Sequence, residues 1–311
     1  MKIQWFPGHM HKASKEIKEK LPEMDLLIEV LDARLPGSSE NPMIAAIRGE
    51  KPCIKLFNKS DLADPDLTQQ WQAFYEQDQG IKTLCVTRNE PDKIKQIATL
   101  CRKMIPRSDN RVKEIHAMIV GIPNVGKSTI INTLTGRTIA KTGNEAAVTR
   151  QQQRIKINDD VVLFDTPGLL WGNILNEHSG YRLAISGAIK DTAFDSDDAA
   201  FYLAEYLIEH YPQVLKARYQ LSEVPSSELE LIEAIGRLRG CLRGGGQVEL
   251  DKACKILINE FRLGTLGRIT LEKPQEFQQE ITMATAELEH KQKEKQALKA
   301  DRKKRWKKNR K

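Results

Sequence analysis

The sequence predicts an α/β fold: a mostly parallel sheet covered by helices, followed by a small all-helical domain and a basic tail. Three observations carry this. Short apolar runs alternate with helical stretches through the first half of the chain, the pattern of strands buried on both faces of a helix-covered sheet. After about residue 180 the runs give way to segments of helical length and periodicity. The last residues are dominated by Lys and Arg.

In chain order, residues 26–31, 53–57, 83–87 and 117–120 read as doubly buried strands. Residues 154–157 and 161–164, separated by Asn158-Asp159-Asp160, read as a hairpin. Residues 199–210, 228–238 and 250–262 read as helices, the second opened by a capping box in which Ser227 is followed three residues later by Glu230. Gly244-Gly245-Gly246 separates the last two. A final helix begins near Phe277 and runs toward the tail. The expected division is 1–180 for the sheet domain, 190–290 for the helical domain and 291–311 for a disordered basic tail.

The 311 residues are 40% apolar and 29% charged, with a net charge of +7. No run approaches the eighteen or so apolar residues of a membrane span, and the N-terminus lacks the apolar core of a signal peptide, so a cytoplasmic protein is expected. The five cysteines are odd in number and none lies at metal-ligand spacing, which reads as reduced thiols. Residues 291–311 hold twelve Lys or Arg against two acids, a balance of +10, which leaves −3 for the preceding 290 residues. Such a tail repels itself and suits a polyanion, because each neutralised phosphate releases counterions. Trp306, set among its cations, is placed to stack on an unpaired base.

Gly121-Ile122-Pro123-Asn124-Val125-Gly126-Lys127-Ser128 matches the phosphate-binding P-loop in full, after an apolar run and before an apolar helical stretch that begins at Thr129. Its glycines let backbone N–H groups converge on phosphates at a helix N-terminus. Val125, Gly126, Lys127, Ser128 and Thr129 are expected to hold the nucleotide, with Lys127 reaching the β- and γ-phosphates and Ser128 ligating Mg²⁺. Asp165-Thr166-Pro167-Gly168 follows the strand at 161–164. Asp165 is expected to hold Mg²⁺ through water, and the Gly168 N–H to sense the γ-phosphate. Asn58-Lys59-Ser60-Asp61 follows a buried strand, and the Asp61 carboxylate can accept two hydrogen bonds from guanine N1–H and N2–H₂, an arrangement adenine lacks. Asn58 and Lys59 are expected to brace that loop and the base, and Ser60 to belong to the same nucleotide site. Val86 and Thr87 end the next strand, where backbone groups meet the guanine O6 or where the strand simply stops. The bound nucleotide is therefore GTP or GDP. The base-reading residues precede the P-loop, the reverse of ordinary small GTPases, so the chain is expected to be a circular permutation with its motifs in the order G4-G5-G1-G2-G3. Such a permutation builds the same sheet if the old termini lie close together.

With these motifs in this order, the chain resembles the YlqF/RbgA family of circularly permuted GTPases over roughly residues 1–290. Trp5-Phe6-Pro7-Gly8-His9-Met10 and Asp32-Ala33-Arg34 belong to the same resemblance. It implies a permuted G domain, a helical RNA-binding domain, action on the large ribosomal subunit or its precursor through ribosomal RNA, and no DNA or membrane partner. It also implies Thr149 as a cap on Mg²⁺ and the γ-phosphate, although Ala146-Ala147 departs from the family's Pro-Gly before that threonine. Arg88 stands where the family has a small residue. Leu169-Leu170 occupies the place where ordinary GTPases carry a water-orienting glutamine; the resemblance gives His9 a catalytic role, and it is the best substitute ahead of His11 and His178, a surface histidine or an RNA contact beside Trp5 and Phe6 being its other readings. Asn124 resembles the asparagine of potassium-dependent GTPases, which adds K⁺ to the expected ions; loop bracing is its other reading. The leading function is a GTPase that matures the large subunit. A GTP-gated RNA-binding scaffold with incidental hydrolysis is the alternative.

Overall fold

A strand whose residues are all apolar or paired needs cover on both faces, and the computed structural model, which describes residues 3–106, 114–139 and 153–308, places such strands at its centre. The chain runs α1 (Gly8–Lys20), β1 (Leu26–Asp32), α2 (Pro36–Ser39), α3 (Pro42–Arg48), β2 (Cys53–Asn58), α4 (Pro65–Tyr75), β3 (Ile81–Val86), α5 (Pro91–Met104), β4 (Ile115–Gly121) and α6 (Lys127–Thr135). It continues through β5 (Gln153–Lys156), β6 (Val161–Asp165), α7 (Glu177–Ser186), α8 (Ser196–His210), α9 (Pro212–Tyr219), α10 (Glu228–Leu238), α11 (Leu250–Leu263) and α12 (Pro274–Lys308). The six strands form one sheet in the order β3-β2-β1-β4-β6-β5. Every pair is parallel except β5 with β6, the expected hairpin, in which Ile155 faces Leu163. β1 and β2 are buried along their whole length. β3 is one of the two edge strands, and its middle residues are partly exposed, so the expectation that residues 83–87 would be covered on both faces fails there.

Helix boundaries follow local chemistry. Pro36, Pro42, Pro65, Pro91, Pro212 and Pro274 each open a helix, where the missing N–H costs nothing and the fixed φ suits the first turn. The Asn41, Asp64, Asn176 and Asp195 side chains accept hydrogen bonds from N–H groups of the first turns they precede. Ser227 accepts from the Glu230 N–H at 3.3 Å, but Glu230 returns to the N–H of Ser226 rather than Ser227.

Two apolar cores result. The larger surrounds the sheet; the smaller is built by α8 to α11 with Leu266, Ile269 and Leu271. α7 joins them, giving Leu183 and Ala184 to the first and Ile185 to the second. α12 then leaves the helical core and returns to the sheet domain. Its Phe277 ring lies 5.7 Å from Trp71, and Trp71 Nε1 donates to the Glu272 carbonyl at 3.1 Å. The basic tail, expected to be disordered from 291, continues α12 as far as Lys308. Gln, Glu, Lys, Ala and Leu favour helix, the anchored first turns remove the nucleation cost, and Lys291 pairs with Glu287 one turn back. Residues 289–299 of this helix are exposed.

Trp71 is fully buried between α4 and α12. Trp71→Ala should lower stability by about 3–5 kcal/mol, read as a lower urea midpoint in far-ultraviolet circular dichroism.

Candidate nucleotide site

β4 lies between β1 and β6, and β2 adjoins β1, all four parallel, so the loops leaving the carboxyl ends of β4, β6 and β2 converge on one edge of the sheet, where open α/β sheets bind ligands. The first is the P-loop, with Gly126 at φ 100° as the N-cap of α6. The Lys127 ammonium is buried and donates to the carbonyls of Gly121 at 2.8 Å and Ile122 at 3.3 Å. Burial brings its pKa down to about 8, against the pull of Asp165. Ser128 and Thr129 sit half-buried in the first turn of α6.

The second loop begins at Asp165, the last residue of β6, which lies beside Ile119 of β4. Thr166 Oγ1 donates to the Ile119 carbonyl at 2.9 Å, and the Leu169 N–H to the Gly121 carbonyl at 3.2 Å, which fixes the Asp165–Gly168 turn against the P-loop. A Cβ on Gly168 would meet Pro123 Cα at 2.9 Å, so only glycine allows this approach. Both Asp165 carboxylate oxygens are buried without a hydrogen-bond partner. Burial raises its pKa to about 6, with Lys127 opposing. An unpaired buried carboxylate is costly, and a hard cation bridged to it by water would relieve that cost; the donor set of Asp165 and Ser128 fits Mg²⁺.

The third, after β2, carries the residues expected to read the base. Asn58 Nδ2 donates to the Val125 carbonyl at 2.7 Å, joining the base-reading motif to the P-loop across 67 residues of chain. Lys59 takes a left-handed conformation at φ 59°, and its ammonium reaches Asp32 Oδ2 at 2.7 Å. Ser60 Oγ donates to the Val86 carbonyl at 3.2 Å, so the strand end at Val86 and Thr87 does lie beside the base-reading loop. Asn89 Nδ2 donates to Asp61 Oδ2 at 3.1 Å. Sequence reasoning missed Asn89; its position in the Thr87-Arg88-Asn89-Glu90-Pro91 turn was the available signal. Arg88 is exposed.

The remaining candidates divide. Asn124, at φ 57°, donates through Nδ2 to the Gly187 carbonyl at the end of α7, 2.8 Å away, a bracing contact between the P-loop and the next domain. Leu169 and Leu170 are buried, so neither presents a group to water. His9 is exposed in the first turn of α1. The segment before it is held near the phosphate-sensing turn: Gln4 Nε2 donates to Asn173 Oδ1 at 3.2 Å, and Phe6 packs against Gly172. His11 is committed to the edge of Phe6, with ring centroids 4.4 Å apart, and His178 lies 5.7 Å from the Tyr202 ring on α8. Thr149, with Ala146-Ala147, lies outside the described residues.

A family model for 50S ribosome-binding GTPases matches residues 116–223. It takes in the P-loop and the Asp165–Gly168 turn but not residues 58–61, which precede them in this chain order. "Ribosome biogenesis GTPase A" of Priestia megaterium is 46% identical over 289 residues, covering 90% of this chain and 100% of that protein. Among solved structures, GDP-bound YlqF (TM) is similar with a TM-score of 0.62 at 27% identity, over 84% of this chain and 99% of that one. GNP-bound YlqF from T. maritima gives 0.59 at 28%, over 85% and 98%.

Gly168→Ala should force the phosphate-sensing turn away from Pro123. The expected outcome is a loss of GTP turnover of about 100-fold, the scale of one misplaced transition-state donor, with GDP affinity nearly retained. Single-turnover hydrolysis beside fluorescent-GDP titration checks it.

Proposed function

The chain belongs to the ribosome biogenesis GTPase A (YlqF/RbgA) family and is a GTPase acting in ribosome assembly, and from that premise we propose that its nucleotide state controls its hold on the large ribosomal subunit or its precursor. The observation that carries the reading is the Asn58–Val125 hydrogen bond, which makes one guanine-nucleotide site from motifs placed in permuted order.

Phosphoryl transfer to water needs positioning and electrostatic stabilisation more than covalent help. The P-loop amides and Lys127 hold the phosphates. Ser128 and Asp165 would hold Mg²⁺, which when bound would neutralise charge on the phosphate oxygens, and the Gly168 N–H would meet the γ-phosphate. With Leu169 and Leu170 turned into the core, the attacking water must be oriented by another group. His9 takes that role: it is exposed, and its imidazole can bond water near neutral pH. Thr149, outside the described residues, would complete the Mg²⁺ and γ-phosphate contacts. Asn124 supplies a K⁺ ligand or braces the loop; its bond to Gly187 favours bracing.

Nucleotide state has a physical route outward. The turn that meets the γ-phosphate leads into α7, which packs on α8 and α11. Arg182 of α7 grips Glu280 of α12 with two bonds of 2.7 Å. A ligand shifts only an equilibrium whose states it distinguishes, and here the γ-phosphate distinguishes two seats of α7. The helical domain and the α12 arm bind ribosomal RNA, the arm through phosphate contacts. Among the described residues no helix is long and apolar enough to cross a membrane; assembly in the cytoplasm accords with the proposed partner.

Turnover should rise when large subunits are added, and His9→Ala should remove that rise while leaving GTP affinity intact. Turnover equal in K⁺ and Na⁺ buffers would leave Asn124 a bracing residue. No stimulation in any buffer would favour the GTP-gated scaffold, a reading that the burial of Leu169 also supports. For the arm, changing Lys291, Lys293, Lys295 and Lys299 together to Gln should weaken binding to ribosomal RNA and flatten its dependence on log salt by up to about 0.9 for each lost phosphate contact, as read in filter-binding titrations.

A further inference from the structure

Asp32-Ala33-Arg34 contributes nothing to the phosphate chemistry above, yet both of its charged side chains are buried to within 1%. Asp32, at the end of β1, accepts through Oδ1 from Arg34 Nε at 2.9 Å and from the Arg34 N–H at 3.1 Å. Through Oδ2 it accepts from Arg34 Nη2 at 2.9 Å and from the Lys59 ammonium at 2.7 Å. The third guanidinium nitrogen, Nη1, turns the other way and donates to the carbonyls of Phe261 at 2.8 Å and Arg262 at 3.4 Å, in the last turn of α11. The guanidinium carbon stands 4.5 Å from the centroid of the Phe261 ring. A helix end carries orphan carbonyls and partial negative charge, so Arg34 caps α11 while it clamps Asp32.

The base-reading loop meets the same helix end directly. The Leu62 carbonyl accepts from the Ile269 N–H at 3.0 Å. Gly264, the C-cap of α11, lies so close that an added Cβ would come within 2.5 Å of Leu62 Cδ2.

We propose that Asp32 and Arg34 are positioning residues for guanine recognition, which tie Lys59 and its loop to the end of α11 so that the seat of the helical domain sets nucleotide affinity. The proposal rests on the base-reading role of residues 58–61. Neither residue touches nucleotide; Asp32 fixes the Lys59 side chain, and Arg34 fixes Asp32 by a fork that lysine cannot reproduce. Coupling of this kind is reciprocal: guanine nucleotide should steady the end of α11 as much as α11 steadies the loop.

The test compares the full-length native chain with Asp32→Asn, Arg34→Lys and Leu62→Ala, measuring KM and kcat for GTP, affinity for GDP and ADP, thermal unfolding, and hydrogen exchange at residues 261–265 with and without GDP. Asp32→Asn should raise KM and weaken GDP binding about ten-fold, the scale of one charged hydrogen bond, with kcat nearly unchanged. Arg34→Lys should fall between it and the native chain. Leu62→Ala, a milder change that leaves the charged residues in place, should raise KM in the same direction. GDP should slow exchange at 261–265 in the native chain and less so in Asp32→Asn. Unchanged KM and GDP affinity in Asp32→Asn and Leu62→Ala, with only a lower melting temperature, would make the pair merely structural and overturn the proposal. A native chain that binds ADP as well as GDP would remove the base-reading role itself, and the proposal with it.

Discussion

β4 is hydrogen-bonded on one side to β1 and on the other to β6, and the geometry of the whole nucleotide site depends on that placement. A parallel sheet brings the carboxyl ends of its strands to one edge. The strand that carries the P-loop is also where the order of strands turns from one half of the sheet to the other. Chain order does not enter this geometry. The strand that leads into residues 58–61 can be made second and the one that leads into the P-loop fourth, because the contacts that assemble the site run across strands rather than along the chain.

Two buried aspartates at strand ends show how differently the fold treats charge. Burial alone would raise the Asp32 carboxyl, but Arg34 and Lys59 pull it well below the usual carboxylate range, and every lone-pair direction the structure uses is filled by an N–H donor. Asp165 is buried as well, yet it has no hydrogen-bond partner and its pKa is pushed up to about 6. The satisfied carboxylate holds parts of the protein together. The unsatisfied one retains its capacity for a ligand, in keeping with the cation expected there.

Much of this could be read before any coordinates. The P-loop, the Asp165–Gly168 turn and residues 58–61 each carry chemistry at fixed spacing, and the strands that bear them are unmistakably apolar. The helix 228–238 was legible to the residue because Ser227 and the apolar period agree. What escaped the sequence is what depends on distant partners. Nothing local distinguishes β3 as an edge strand. Asn89 gains its meaning only from Asp61, and Asn124 from Gly187. Like-charge repulsion in the tail says nothing of the anchored helix that precedes it and continues to Lys308. Arg34 is the fullest case: beyond its neighbour Asp32, its partner Phe261 lies 227 residues further along the chain.

The helical core leaves the sheet domain at α7 and returns at Glu272, and these two points meet. Arg182 Nη1 lies 3.3 Å from Glu272 Oε2, and Ser38 donates to the same carboxylate through both its N–H and its hydroxyl. A domain whose entrance and exit are pinned side by side cannot drift as a body on a single tether would. Its free motion reduces to rocking about a pivot near Glu272, with Arg34 and the end of α11 as a second stop. A rotation of a few degrees about that pivot would move the far end of the helical core by about an ångström or two while scarcely moving its root.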